Sequence, residues 1–575
     1  MPSLRRLRGA WSNRGMDAMN QTFLIAGLLC FVAIALSAAS QKVGVPSLLV
    51  FLAVGLFATE LPQLQSVRID VETAVLVGNL ALAVILLDGG LRTRLATFRM
   101  VAAPSLTLAT VGVVLTAALV GIAGAWLLDL DWRYGLLLGS IVGSTDAAAT
   151  FALLGSRGLR LNERVESTLE VESGINDPMA VFLTLGVIEL IRLPEQSLTA
   201  LLPMFLQQLG IGLLVGVVLG YLLSLAVARV RLEEGLYALL IQSGGLATFA
   251  LTNLLGGSGF LAIYLAGMLI ANRRVHVGED VLRVSDGFAW LAQAGMFLVL
   301  GIITDVRGLI EVAGPALLAA AVLMFVARPL AVAACLLPFR YPVREVAFIG
   351  WLGLRGAVPI VLGLFPLVAA LPHAQVLFHI TFFIVLLSLL LQGGTLPVAA
   401  RLAQVRAGRP RAAIATAPLD GGARSREVVQ FIVAEGAPAT RRALDEIDWP
   451  EGSRLIELER GGRIIEPATL RSGDLVAVVA PAEQVGALEE LFAPASADGE
   501  LTLAASATLG DLQDYYGVEL PPELPRDMTL DAYAVRLLRG RAASGDVLAL
   551  GGLRLRVREA SAGVVRSFSL ALTRR

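Results

Sequence analysis

Two short stretches of the sequence carry acids and hydroxyls inside segments that are otherwise apolar enough to cross a bilayer. The first, residues 145–150, contains Asp146. The second, residues 172–178, contains Ser173 and Asp177. A charged side chain at the centre of a membrane helix costs about 2.5 to 3.5 kcal/mol, and acids placed there usually line an ion or proton path. The pattern therefore predicts such a path, although either acid could be a structural carboxylate satisfied by a neighbouring helix.

The spacing in the second stretch places a hydroxyl and a carboxylate on one side of a helix. Ser173 and Asp177 are four residues apart and share a face. Glu172 and Asn176 share the adjacent face. Pro178 has no N–H to donate and therefore loosens the helix next to Asp177. A partly desolvated carboxylate there can hold a proton or give it up for a metal cation, and two competing occupants of one site are sufficient for exchange.

The elements that must position these residues are membrane-spanning helices. Hydrophobic residues make up 56% of the 575 residues and charged residues 16%, and the mean hydropathy is +0.74, which excludes an ordinary soluble protein. A window of roughly 19 residues predicts about thirteen spans within residues 21–402. These spans begin near Gln21, Pro46, Thr73, Pro104, Tyr134, Val165, Met204, Leu236, Ser258, Phe288, Val312, Val346 and Gln375. The two lone cysteines, Cys30 and Cys335, indicate neither a disulfide framework nor a metal site.

Two of the predicted spans contain residues that interrupt helices. The fifth has Gly139 and Gly143 ahead of Asp146, and the twelfth has the run 353–359, which contains two glycines and a proline. Such residues in corresponding segments of two halves indicate broken helices at a midplane binding site, although they are also common in membrane helices generally. The two spans are seven apart, so they cross in opposite directions, as an inverted repeat requires.

The ends of broken helices carry partial charges that need compensation. We expect Asp146 to neutralise the positive end of one half-helix and Arg355 the negative end of another. Glu172 cannot remain ionised in an apolar segment without a partner, and the permanently charged Arg355 is the partner we expect. We interpret this pair as scaffold and not as part of the ion path.

Four separated strings resemble the monovalent cation:proton antiporter-1 family, in the order in which that family has them. They are LLDGGLR at 86–92, STDAAATFALL at 144–154, ESGINDP at 172–178 and GLRGAVP at 353–359. The resemblance covers residues 21–402. It implies an all-α polytopic membrane domain of about thirteen helices with inverted repeats and two broken helices, the sodium/proton antiporter fold. It also implies exchange of potassium, sodium or both for protons, without a cofactor.

The same resemblance implies roles for individual residues. The ligands of the cation and the proton would be Asp177, Ser173, Thr145 and Asp146, with the metal cation at the first three. Supporting roles would fall to Asn176, Glu172 and Arg355, and to Asp88, whose place relatives often give to glutamate and whose role stays open. The Asn-Asp pair replaces the Asp-Asp pair of electrogenic relatives, which implies electroneutral exchange of one cation for one proton.

The tail is predicted to be soluble, because charged residues become frequent after Arg406. A linker is predicted at 403–424. Residues 425–494 resemble the C-terminal subdomain of potassium-conductance regulator proteins, and residues 500–575 resemble a small transporter-associated domain, so small α+β domains are expected. In the first of these we predict strands at 428–433, 454–459, 463–467 and 474–480, and helices at 440–447 and 483–492. Together the two parts imply a potassium/proton antiporter whose tail regulates exchange and could bind an unidentified ligand, or merely dimerises or stabilises the chain.

The arginines and lysines of the short loops predict the orientation. Alternate loops contain fourteen of them and the intervening loops only four, which places the tail in the cytoplasm and the N-terminus outside. Residues 1–20 disagree, because four of them are arginines. A true start at Met16 or Met19 would remove this conflict. We expect a homodimer in the lipid of a bacterial inner membrane, and the net charge of −1 gives no reason to expect a nucleic-acid partner.

Two other classes of protein stay open at this point. A regulated cation channel would need several weak sites along a pore, such as a carbonyl filter, and the sequence has no filter-like repeat. A non-transporting membrane sensor would account for the tail but not for the acids at mid-membrane. None of the three classes, the exchanger, the channel or the sensor, is an enzyme.

Overall fold

The computed structural model divides the chain into two compact units, residues 1–406 and 407–575. Within 13–571 it describes every residue except 44–45, 59–68, 94, 156–160, 194, 196–198, 200, 274–278, 404, 406–412, 419–425, 434–436, 441, 461–462, 465–468, 482–483, 485–487, 489–490, 493–500, 517–519, 522, 551–552 and 562. Most of the predicted N-terminal extension, residues 1–12, therefore lies outside the described part.

In its described residues the first unit consists of helices joined by turns and short non-helical stretches. Its α-helices are α1 (Asn13–Val43), α2 (Ser47–Ala58), α3 (Val71–Arg92), α4 (Leu95–Thr107), α5 (Val113–Leu128), α6 (Trp132–Ile141), α7 (Ala147–Gly155), α8 (Glu163–Arg192), α9 (Leu201–Arg229), α10 (Glu234–Leu254), α11 (Gly259–Asn272), α12 (Glu279–Ile302), α13 (Val306–Glu311), α14 (Ala313–Val322), α15 (Arg328–Leu336), α16 (Val343–Trp351), α17 (Ala357–Val368) and α18 (Ala374–Leu402). Single π-helical turns, Leu108–Gly112 and Leu323–Ala327, join α4 to α5 and α14 to α15.

Eight helical segments of the described part are long and apolar enough to cross a membrane, and four shorter helices are also apolar. Each predicted span coincides with one helix, with two helices joined by a π turn, or with two helices separated by a break. The prediction of a polytopic all-α membrane domain is therefore confirmed. The π turns fall in the fourth and eleventh spans, seven apart like the two breaks, and this correspondence favours an inverted repeat.

Both predicted breaks are present. Helix α6 ends at Ile141 and α7 begins at Ala147, while α16 ends at Trp351 and α17 begins at Ala357. Pro359 is the third residue of α17. A backbone N–H at this position would have no intrahelical acceptor, so the proline does not disturb the first turn of the helix. The two breaks leave 142–146 and 352–356 as short non-helical stretches inside the membrane unit.

The second unit contains two antiparallel sheets in its described residues. The first has the order β1-β2-β5-β3-β4, and the second has the order β6-β9-β8-β7 with helices α19 and α20. The elements are β1 (Ala413–Pro418), β2 (Arg426–Ile432), β3 (Arg454–Arg460), β4 (Arg463–Ile464), β5 (Leu475–Pro481), β6 (Leu501–Ala504), α19 (Leu509–Tyr516), α20 (Leu530–Leu538), β7 (Val547–Leu550), β8 (Leu553–Ser561) and β9 (Val564–Ala571). The predicted α+β character of the tail is confirmed.

Two details of the tail prediction were wrong. The predicted helix at 440–447 is only a 3-10 turn, Leu444–Glu446, because Ala443 forms a β-bridge with Thr469 and this pairing overrides local helix propensity. The predicted linker 403–424 contains β1, which pairs with β2 and extends the sheet. Much of the predicted helix at 483–492 and of the strand at 463–467 lies outside the described residues.

Candidate ion-binding site

The two non-helical stretches touch each other. The backbone N–H of Asp146 donates to the carbonyl of Leu354 at 2.8 Å. In the opposite direction, the guanidinium of Arg355 donates through Nη1 to the carbonyl of Ser144, just beyond the end of α6. Arg355 therefore supplies positive charge where the carbonyl end of a half-helix needs it.

Asp146 compensates the other partial charge of the broken span. Its Oδ1 accepts the backbone N–H of Ala149 at 2.9 Å, so the carboxylate caps the beginning of α7. The hydroxyl of Thr150 donates to the Asp146 carbonyl at 2.9 Å. A carboxylate at a helix N-terminus is stabilised by the free N–H groups and the positive end of the helix dipole. Asp146 thus lies where the sequence pattern placed it, between the two halves of its span.

Gly356 allows the two stretches to approach. A Cβ atom at this position would overlap Oδ2 of Asp146. The close contact is possible only because glycine has no side chain. We call the place where the stretches 142–146 and 352–356 touch the crossing. Its close contact depends on Gly356, which follows Arg355 in the second break.

We expect Gly356→Ala to displace Asp146 and to reduce exchange strongly. The overlap with a fixed carboxylate should also destabilise the fold by about 1 to 3 kcal/mol. Gly394→Ala is the matched control, because a Cβ on that helical glycine meets nothing within 4 Å. Transport rates and melting temperatures of the two purified variants test the prediction, and wild-type behaviour of Gly356→Ala would contradict it.

Two polar side chains of helix α8 form hydrogen bonds with the first break. The Ser173 hydroxyl donates to the Thr145 carbonyl at 2.9 Å and accepts the Ala147 N–H at 3.2 Å. Asn176 Nδ2 donates to Thr145 Oγ1 at 2.6 Å. The structure thus brings together three of the predicted site residues from two separate segments.

Asp177 lies on this same part of α8 and is buried, with 8% of its surface exposed. Among the described residues, neither its Oδ1 nor the Oδ1 of Asn176 has a hydrogen-bond partner of ordinary geometry. The Ser144 hydroxyl lies near enough to interact with the Asp177 carboxylate, although the contact falls short of ordinary hydrogen-bond geometry. Buried oxygens without partners are costly, so such a group needs a proton or a cation. Carboxylate, hydroxyl and carbonyl oxygens next to unwound helices are the donors that membrane transporters use for monovalent cations.

The predicted pairing of Glu172 with Arg355 was wrong. Glu172 forms a bidentate ion pair with Arg328, with Nη1–Oε1 and Nη2–Oε2 distances of 2.5 and 3.0 Å. Both side chains are almost completely buried, with side-chain exposures of 2% for Arg328 and 0% for Glu172. Arg328 begins α15 directly after the π turn. Two N–H groups of its planar guanidinium donate in parallel to the two oxygens of the Glu172 carboxylate. Arg355 instead donates to the Ser144 carbonyl.

The second break is held by residues that sequence reasoning missed. Ser388 Oγ accepts the backbone N–H of Arg355 at 3.0 Å and donates to Gln392 at 2.6 Å. Gln392 Nε2 in turn donates to the Trp351 carbonyl at 2.8 Å. These two α18 side chains, four residues apart, replace helix hydrogen bonds lost at the break. Ser388 and Gln392 are uncharged, so their spacing in the sequence gave little indication of this role. Arg328 could have been found from the sequence, because a charged residue in an apolar membrane segment is usually buried and paired.

Asp88 is separate from the crossing in its described contacts. Its carboxylate accepts two hydrogen bonds from Arg92, at 2.7 and 3.3 Å, near the end of α3. Arg92 also donates to Asp286 at 3.0 Å. Among the described residues, the hydrogen bonds of the Asp88 carboxylate go to Arg92 and not to the residues around Asp177.

Comparison with known proteins agrees with this architecture. A family model described as sodium/hydrogen exchanger, transmembrane, matches residues 27–402. The chain belongs to the sodium/hydrogen exchanger family. A second model, described as transporter associated domain, matches residues 494–574. Family membership makes the chain a cation/proton antiporter and not an enzyme, and it confirms the resemblance inferred from the four strings.

Relatives of this exchanger match it over nearly their whole length. It is 43% identical to the K(+)/H(+) antiporter NhaP2 of Shewanella sp. (strain MR-4), over 92% of this chain and 94% of that relative. It is 37% identical to the K(+)/H(+) antiporter NhaP of Alkalimonas amylolytica, over 95% of this chain and 97% of that relative. The solved structure of the sodium proton antiporter MjNhaP1 from Methanocaldococcus jannaschii at pH 8 is similar, with a TM-score of 0.59 and 25% identity. The match covers 67% of this chain and 99% of that one. The predicted sodium/proton antiporter fold is confirmed.

Two sets of charges lie near the breaks of this exchanger. Arg355, Arg328 and Glu172 lie close enough for their charges to interact, and so do Asp146 and Asp177. None of the described interactions of Asp177 is with a cationic side chain. Two neighbouring carboxylates repel each other when both are ionised, so a proton or a monovalent cation at Asp177 stabilises the pair.

Proposed function

We propose that the chain exchanges cytoplasmic potassium, sodium or both for external protons at Asp177 by alternating access. The observation that carries the proposal is the buried Oδ1 of Asp177, which has no hydrogen-bond partner of ordinary geometry among the described residues and lies on the helix fastened to the crossing. Two relatives that are named K(+)/H(+) antiporters, at 43% and 37% identity, support potassium as a substrate.

The Asn176–Asp177 pair supports an electroneutral exchange of one cation for one proton, because asparagine takes the place of the second acid of electrogenic relatives. Asp177 would then hold either a proton or a cation, and exchanging one for the other moves no net charge. The cation would lie among Asp177, Ser173 and Thr145. Ser173 already uses its hydroxyl hydrogen and one lone pair on the first break, which leaves one lone pair for a cation.

Proton flux in proteoliposomes tests this function. Purified protein is reconstituted with a pH-sensitive dye inside, and potassium is added outside without an ionophore. An exchanger moves protons at once, and sodium in place of potassium measures its preference. A channel needs a separate proton leak, and a sensor moves no protons under either condition. Absence of potassium- or sodium-driven proton flux in well-reconstituted protein would contradict the proposal.

The loop charges and the bacterial relatives support a proposed location and orientation. We place the chain in a bacterial inner membrane as a multi-pass protein, with its tail in the cytoplasm and its N-terminus outside. A homodimer is part of the same proposal. Cross-linking in intact cells and labelling of single cysteines at each end test both points.

The tail is proposed to regulate exchange and not to build the ion site. The proposed ligands Asp177, Ser173 and Thr145 all lie in the unit 1–406, and residues 407–575 form a separate compact unit. A tail ligand, if one binds, would change exchange by favouring one state of the membrane unit. A coupling of about 1 to 3 kcal/mol is typical of such linkage.

We expect a truncation after Arg406 to keep exchange and to change its pH and potassium activation. The cut must follow Val405, because this buried residue accepts the backbone N–H of Asn162 at 2.8 Å. A cut at Leu402 would remove that contact and is the comparison variant. Activation curves identical to those of the full chain would reduce the tail to a structural role. Loss of all transport in a stable truncation would contradict the proposal.

A further inference from the structure

Three polar side chains on one face of α18 contact the region of the second break. Ser388, Gln392 and Thr395 follow one another at steps of four and three residues, a spacing that keeps them on one side of the helix. The first two are almost completely buried, with 0% and 1% of their surfaces exposed. The hydroxyl of Thr395 accepts the indole N–H of Trp351 at 3.2 Å. Helix α18 therefore presents a polar face to the end of α16 and to the break that follows it.

The hydrogen bonds of Ser388 and Gln392 form one directed chain. A backbone N–H can only donate, so the Ser388 oxygen accepts from Arg355, and the single hydrogen of the hydroxyl goes to Oε1 of Gln392. The Gln392 amide then donates from Nε2 to the carbonyl of Trp351, the last residue of α16. The two side chains thus connect the beginning of the break with Arg355, near its other end.

The second break in turn holds the first break on both sides of Thr145. The Arg355 guanidinium donates to the carbonyl of Ser144, the residue before Thr145. The carbonyl of Leu354 accepts the N–H of Asp146, the residue after Thr145, at 2.8 Å. The position of Thr145, a proposed ligand of the cation, therefore depends on the position of the second break.

The backbone of Arg355 largely determines where its guanidinium lies. Among the described residues, Nε and Nη2 of this buried side chain have no hydrogen-bond partner, and Nη1 donates to Ser144. A side chain with one such hydrogen bond follows a shift of its own backbone. The N–H of that backbone is held by Ser388 at 3.0 Å.

We propose that Ser388 and Gln392 are positioning residues for cation binding. They hold the second break so that its two contacts keep Thr145 in place, and they do not themselves bind the cation or the proton. The proposal rests on the proposed function, in which the cation lies among Asp177, Ser173 and Thr145. Loss of either positioning side chain should therefore weaken cation binding without abolishing exchange.

The KM for potassium in proteoliposomes tests this role. In the full chain, Ser388→Ala should raise this KM about three- to tenfold, the change expected when one net hydrogen bond that holds the bound geometry is lost. The rate at saturating potassium, per folded protein, should stay close to that of the parent. A merely structural role would lower the melting temperature and the amount of active protein, and the KM does not depend on that amount.

Three further variants make the test specific. Gln392→Met keeps the length of the side chain but removes its amide, and it should also raise the KM. The double variant Ser388→Ala with Gln392→Met should raise the KM no more than Ser388→Ala alone, because the two side chains form one chain of hydrogen bonds. Thr381→Val removes a buried hydroxyl of the same helix, one that has no hydrogen-bond partner among the described residues, and should leave the KM unchanged.

The possible results separate this inference from the proposed function. Folded Ser388→Ala with the KM of the parent overturns the inference, and so does a double variant in which the two fold-changes multiply. If Ser388→Ala does not fold, an unchanged KM in Gln392→Met overturns the inference in the same way. A parent protein without potassium- or sodium-driven proton flux overturns the proposed function itself.

Discussion

Replacing Asp177 with asparagine is expected to reduce exchange to the level of empty vesicles while the protein still folds. Asparagine keeps the size of the side chain but has neither a negative charge for a cation nor a carboxylate to protonate. The Oδ1 of Asp177 has no hydrogen-bond partner of ordinary geometry among the described residues, and the amide oxygen of asparagine can still accept from the nearby Ser144 hydroxyl. Proton flux driven by potassium in proteoliposomes is the measurement.

A matched substitution controls for the loss of an aspartate as such. Asp131→Asn makes the same change at the exposed N-cap of α6, where Asp131 accepts the Arg133 N–H at 2.9 Å, and asparagine is an equally good cap. We expect wild-type exchange from that variant. Asp177→Glu keeps a carboxylate and should retain part of the activity. Substantial cation-driven proton flux in well-folded Asp177→Asn would remove this residue from the mechanism.

Breaking the buried pair of Glu172 and Arg328 should mainly destabilise the protein. Removing either partner leaves an uncompensated charge in the membrane interior, at a cost of about 3 to 5 kcal/mol. The double variant Glu172→Gln with Arg328→Met should be more stable than either single variant, because no unpaired charge remains from the pair. Thermal unfolding of the purified proteins measures the differences.

Glu189 is exposed on the same helix, so Glu189→Gln is the control and should unfold at the parent temperature. If Glu172→Gln also unfolds at that temperature but no longer transports, the pair belongs to the ion path and not to the scaffold. Equal stability of the double variant and the single variants would show that the two side chains do not act as a pair.

Local patterns predicted the breaks and the residues around them. Glycines and a proline interrupt helices through their own backbone chemistry, so the breaks at 142–146 and 352–356 could be located from the sequence. The spacing of Ser173 and Asp177 on one helix is equally local. The contacts of Thr145 with Ser173 and Asn176 follow once the two segments are neighbours.

Partners between distant helices could not be predicted in this way. Glu172 and Arg328 are 156 residues apart, and the choice between Arg328 and Arg355 depends on which helix faces α8. The link between Ser388 and the backbone of Arg355 has the same origin. In the tail, pairing of Ala443 with Thr469 overrode the helix that residues 440–447 favour locally. Asp88 accepts hydrogen bonds from Arg92, four residues further along the same helix, which is a local contact.

The count of protons released when the purified full-length protein binds potassium tests the central claim, that the cation and the proton compete for Asp177. It is measured by titrating potassium into weakly buffered protein at a series of pH values. At pH values where the site is protonated, the account predicts one proton released for each potassium bound, and none for Asp177→Asn. Potassium binding without proton release at every pH where the protein is folded, or full release from Asp177→Asn, would contradict it.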